Sequence, residues 1–215
     1  TGSRFEQPMV NGICHFIEHM LFKGTERRSA FDIAKEIDSV GGVMNAFTSK
    51  ELTSFYCKVL HENLPLAVDL LSDIYLNSSF PEDEIEREKQ VVLQEIYQLE
   101  DSPEELIHEI LGAKFWSDDP LGQPILGTEP TVVGLSRDVI VGFKRDHYSP
   151  QDTLVCAAGN LEHERFVDLV AHEIERLPGA FSGVTRVVLS DSRNAHVVMK
   201  DLEQVHVCVG TVAPS

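Results

Sequence analysis

The run His15-Phe16-Ile17-Glu18-His19-Met20-Leu21-Phe22-Lys23-Gly24-Thr25 decides how this chain is read. Apolar side chains recur at Ile13, Phe16, Ile17, Met20 and Leu21, which predicts a helix over 11–22 that Gly24 ends. His15, Glu18 and His19 fall between them and match H-x-x-E-H. Positions i and i+4 share one helix face, about 6 Å apart along the axis. Two imidazoles so placed can grip one zinc ion. Glu18, three positions after His15, sits close to the same face, where a carboxylate can take a proton from water that the metal activates. Spacing alone also allows a surface helix with two solvated histidines. The forward motif H-E-x-x-H is absent: His61-Glu62, His108-Glu109, His163-Glu164 and His172-Glu173 all lack the second histidine.

Working outward, Ser29 can cap a helix whose apolar face is Phe31, Ile33, Ala34 and Ile37, and Gly41-Gly42 breaks it. The segments 43–48 and 53–60 read as strands, and their four-residue link predicts an antiparallel pair. Helices follow at 64–76, 82–99 and 103–111, then a loop-like stretch at 112–130 rich in Pro and Gly. Helices at 136–147 and 162–177 enclose a strand at 153–158, and further strands are expected at 196–200 and 205–211.

A catalytic zinc needs a third protein ligand. The long acidic helix and its end offer Glu82, Glu84, Glu86, Glu88, Glu95 and Glu100. Glu88 and Glu95 lie two turns apart and project from one side, beside Val91, Val92 and Ile96. Carboxylates on a half-buried face need a partner such as a cation.

The chain has 215 residues, 42% of them hydrophobic, enough for a buried core. Its formal net charge of −17 argues against a nucleic-acid binder and against adhesion to an anionic membrane, and fits attraction of basic ligands. No apolar run approaches the ~18 residues of a membrane span. Cys14, Cys57, Cys156 and Cys208 are widely spaced beside apolar segments and read as buried free thiols of a reducing compartment. The opening Thr1-Gly2-Ser3 and the strand-like end suggest a fragment of a longer protein, with a turn-rich stretch at 177–183 closing the main domain.

The order H-F-I-E-H-M-L-F-K-G-T, then G-G-V-M-N-A-F-T, then I-E-R-E-K-Q-V-V-L-Q-E-I resembles the pitrilysin and mitochondrial-processing-peptidase family of zinc peptidases. The resemblance implies His15, His19 and Glu95 as ligands of one Zn2+ per domain and Glu18 as the general base. It implies Glu88 as a carboxylate that orients a ligand imidazole. Asn45 and Ala46 would lie on an edge strand that binds substrate by strand addition. Glu105 and Glu109, one helical turn apart, would recognise an arginine near the cleavage site. The implied fold is α+β, a mostly antiparallel sheet with helices packed on one face, and the implied activity is endopeptidase cleavage of extended, possibly basic, peptides or presequences. Residues 1–183 would form the zinc-binding domain, its first strand missing. Residues 184–215 would be a linker and the start of a second, similar domain, and a second family domain or subunit would be the partner. A bacterial cytoplasmic enzyme is expected, with the mitochondrial matrix as the other fitting compartment. Two other readings are a non-catalytic family subunit, which the intact zinc motif speaks against, and a zinc enzyme of other chemistry.

Overall fold

Helix α1 (Ile13–Leu21) carries six side chains with no exposed surface: Ile13, Cys14, Phe16, Ile17, Met20 and Leu21. A computed structural model describes residues 1–117, 119–174, 177 and 195–211. In it α1 is the centre of the core. Its start is set by chemistry on both sides of Gly12. Gly12 has φ 95°, in the left-handed region, and a Cβ there would lie 2.7 Å from the carbonyl oxygen of Leu126. The buried Glu6 carboxylate accepts hydrogen bonds from the Gly12 and Cys14 N–H groups (2.7 and 2.8 Å) and from Asn11 Nδ2 (2.8 Å). These bonds satisfy N–H groups that a helix start leaves open.

Helix α2 (Ala30–Ser39) begins with a reciprocal capping box between Ser29 and Asp32. Ile33 and Ile37, one turn apart, face inward, while Phe31, expected on the same face, is 73% exposed. Two residues from Ile33 is about 200° around a helix, so Phe31 points away. Strands β1 (Val43–Thr48) and β2 (Thr53–Lys58) pair antiparallel, with Thr48 opposite Thr53 and Ala46 opposite Phe55. Burial alternates along β1: Met44, Ala46 and Thr48 face inward, and Val43, Asn45 and Phe47 face out. Helix α1 packs on the hairpin and on α4 (Glu82–Asp101).

Helices α3 (Leu64–Asn77), α5 (Pro103–Phe115), α6 (Glu129–Val133), α7 (Arg137–His147) and α8 (His163–Ile174) complete the described elements. Ile74, Ile85, Val92, Ile96, Val132, Ile140 and Phe143 surround α1 in one cluster. The fold is α+β, helices on a small antiparallel sheet. The stretch read as a loop over 112–130 is helical to Phe115 and again from Glu129; a glycine inside a helix costs only about 1 kcal/mol, so Gly112 does not end α5. The segments 153–158, 196–200 and 205–211 are not strands: they pair with nothing among the described residues, and a strand exists only through a ladder. The boundary expected at 183 lies outside the described residues. All four cysteines are free, but only Cys14 is buried and Cys156 is exposed, so the buried-thiol expectation holds for one of the four.

Candidate metal centre

On α1 the only residues not fully buried are His15, Glu18 and His19. They form one polar stripe in an otherwise apolar helix. The imidazoles turn toward each other, with Nε2 atoms 3.1 Å apart and ring planes at 64°. Packing of α4 against α1 brings Glu95 to them: its Oε2 lies 3.6 Å from His15 Nε2 and 3.7 Å from His19 Nε2. A tetrahedral zinc with bonds near 2.0–2.1 Å has ligand–ligand edges of about 3.3 Å. The three separations bracket that value. Glu95 Oε2 is buried and has no hydrogen-bond partner, an arrangement that a cation would relieve. Among the described residues this trio is the group of His, Cys, Asp and Glu side chains able to hold a metal ion.

Glu88 lies two turns before Glu95 on the same face of α4 and is 4% exposed. Its Oε1 accepts from His19 Nδ1 at 2.7 Å, and its Oε2 pairs with Lys23 Nζ at 2.5 Å. The bond to Nδ1 leaves Nε2 of His19 as the free donor atom. His15 Nδ1 is buried without a partner.

Burial, then the neighbouring His19, pushes the His15 pKa down to about 3, so its ring is neutral and its lone pair is available at neutral pH. Burial also pulls His19 down, but the Glu88 hydrogen bond and the Glu95 and Glu88 charges outweigh it and raise the pKa overall. Burial would raise Glu88, but its bonds from His19 and Lys23 win and hold it low. The Glu18 carboxyl is raised, chiefly by burial, with the Thr48 hydrogen bond opposing. That bond runs from Thr48 Oγ1 to Glu18 Oε2 at 2.5 Å.

The structure therefore brings together His15, His19, Glu95, Glu18 and Glu88. Asn45 is exposed on β1, and its Oδ1 accepts from the Ala46 N–H at 2.8 Å. Among the described residues β1 has no strand on its other edge. Glu105 is exposed on α5, and Glu109 pairs with Lys50 at 3.7 Å, so neither is joined to the histidines by a described bond. Sequence reasoning missed Lys23, Thr48 and Glu6. Lys23 follows His19 by one helical turn and Thr48 shares the inward face of β1 with Ala46, so periodicity held a signal for both.

The family model described as "Insulinase (Peptidase family M16)" matches residues 1–129, and that described as "Peptidase M16 inactive domain" matches residues 134–215. An uncharacterized zinc protease, YmxG of Bacillus subtilis, is 39% identical over 98% of this chain and 51% of its own length. One from Rickettsia bellii is 42% identical, again over 98% of the chain and 51% of its own length. Among solved structures, a protease from Helicobacter pylori matches with TM-score 0.79 at 25% identity, covering 87% of this chain and 45% of that one. Pitrilysin matches with TM-score 0.76 at 22% identity, over 88% of this chain and 21% of its own, a likeness of fold. The chain belongs to peptidase family M16, the insulinase and pitrilysin family of zinc proteases. It spans about half the length of the curated relatives it matches. No helix among the described residues is long and apolar enough to cross a membrane.

Proposed function

We propose that the protein is a zinc endopeptidase acting on extended peptides or presequences. The observation that carries this reading is the convergence of His15, His19 and Glu95 at zinc-like spacing with Glu18 on the same helix face. The two histidines and Glu95 hold the metal, and Glu88 fixes the His19 ring through Nδ1. Bound there, zinc supplies Lewis acidity, which acidifies water and polarises a carbonyl. Glu18 accepts the proton of the attacking water and returns it to the leaving amine nitrogen.

The free edge of β1 at Asn45 and Ala46 holds the substrate backbone by strand addition, and Glu105 and Glu109 read a basic side chain. Residues 1–183 form the zinc-binding unit, in support of which α7 packs in the same core as α1. Residues 184–215 begin a second, similar unit, and such a unit or subunit closes the site.

The test is cleavage of an unstructured, arginine-containing peptide by the full-length protein and its Glu18→Gln variant, with zinc content measured in both. The variant is expected to keep its zinc and lose about 10²–10⁴-fold in kcat. A fully active variant overturns the role of Glu18. A wild-type protein that binds zinc and cleaves no peptide favours a non-catalytic subunit. The isolated 215-residue chain is expected to be much slower, and equal speed overturns the need for a second unit.

A further inference from the structure

We infer that Thr48 is a positioning residue for Glu18, holding one carboxylate oxygen so that the other meets the attacking water. The inference rests on the reading of Glu18 as general base and adds a residue to it. Thr48 is the last residue of β1 and faces inward with Met44 and Ala46. Its Oγ1 lies 2.5 Å from Glu18 Oε2 and 3.4 Å from Oγ1 of Thr53, its partner across the hairpin. A hydroxyl has one proton to give, and an ionised carboxylate can only accept. The Thr48 proton therefore goes to Glu18, and the Thr53 hydroxyl can donate to the Thr48 oxygen in turn. Both threonines are β-branched and stiff at χ1, so the hydroxyl pair is a fixed support on a paired strand.

No described residue bonds the other oxygen, Oε1. Glu18 otherwise projects from α1 on a flexible stem, and nothing on its own helix fixes its rotamer. A general base works only from within hydrogen-bond reach of the proton it takes, and small misplacements are costly in rate. The hairpin, in this arrangement, aims the base as well as presenting the edge strand. A hydrogen bond to an ionised carboxylate is stronger than one between neutral groups.

The experiment uses the full-length protein, a quenched arginine-containing peptide, and the variants Thr48→Val, Thr48→Ser and Glu18→Gln. Valine keeps the shape of threonine and suits a strand, so the fold and its melting temperature are expected to persist. Thr48→Val is expected to lower kcat about 10- to 100-fold with KM and zinc content unchanged. Thr48→Ser keeps the hydroxyl and is expected to recover kcat to within roughly threefold of wild type. In the Glu18→Gln background Thr48→Val is expected to cost nothing further, because the two side chains act as one unit. The proposal is overturned if Glu18→Gln is inactive while Thr48→Val stays within twofold of wild type. It is also overturned if valine and serine lose activity equally, or if the loss follows lost zinc or lost stability. An active Glu18→Gln protein overturns the underlying reading of Glu18 and this inference with it.

Discussion

Glu88 is the carboxylate on which the arrangement of the candidate metal centre turns. It is nearly inaccessible, and each oxygen has its own partner, His19 Nδ1 on one side and Lys23 Nζ on the other. Such a group fixes a ring and keeps electron density on it. Glu88→Gln keeps the size but presents an amide NH2 to one of two cationic or N–H donors. Zinc affinity is expected to fall about 10–100-fold, read by competition with a chromogenic chelator at neutral pH. Unchanged affinity in the variant means that Glu88 serves folding alone. At this scale the sequence was most informative where spacing is dictated by a helix. His15, Glu18 and His19 follow from i, i+3 and i+4, and Glu88 and Glu95 from two turns of α4. Choosing Glu95 among six carboxylates took more than spacing, because several lie on the same helix and only packing against α1 separates them. Lys23 lies one helical turn after His19, but its role depends on Glu88 of α4, and only the packing of α4 against α1 brings the two together.

The elements are held in place by a second polar cluster away from the metal donors. Asp73 on α3 is fully buried and accepts from Thr25 Oγ1 (2.9 Å), Arg27 Nε (3.0 Å), Arg28 Nη1 (2.8 Å) and Asn77 Nδ2 (2.9 Å). It ties the turn between α1 and α2 to α3, and so fixes where α1 ends. Asp73→Asn leaves buried donors poorly matched and is expected to destabilise the chain by about 3 kcal/mol, read as a lower melting temperature. Burial would raise the Asp73 pKa, but the bonds from Arg28, Asn77, Thr25 and Arg27 outweigh it and hold it at about 2, below the ordinary 3.8. A carboxyl with a depressed folded pKa contributes stability above its unfolded value and loses it as pH falls toward the folded one. The wild-type and Asp73→Asn melting temperatures are therefore expected to converge between about pH 4 and pH 2, and a gap that stays constant there contradicts the assignment. Element types were legible wherever period and punctuation agreed, as in α1, the Ser29 cap of α2 and the β1–β2 hairpin. They were not legible at 153–158, 196–200 and 205–211. The apolar pattern there is strand-like, but a ladder needs a partner, and a sequence window cannot say whether one is at hand.

At the scale of the whole chain, the proposed reading gives two distinct sources for a preference for basic peptides, the formal charge of −17 and the local pair Glu105–Glu109. They differ in range. The summed field acts over the Debye length, about 30 Å at 0.01 M salt and about 8 Å at 0.15 M, so salt removes it. A direct carboxylate–arginine contact is screened far less. Glu109 is already paired with Lys50, which leaves the exposed Glu105 as the freer of the two. Exposed ion pairs are worth at most about 1 kcal/mol, roughly fivefold in rate. The measurement is kcat/KM of the full-length protein on two peptides differing in one arginine, at both salt concentrations, with and without Glu105→Gln and Glu109→Gln. Most of the arginine advantage is expected to vanish at 0.15 M, and the paired substitution is expected to remove a few-fold of what persists. If the paired substitution leaves the residual preference untouched at both concentrations, Glu105 and Glu109 do not read the substrate, and the acidity of the chain acts only by drawing basic peptides toward it.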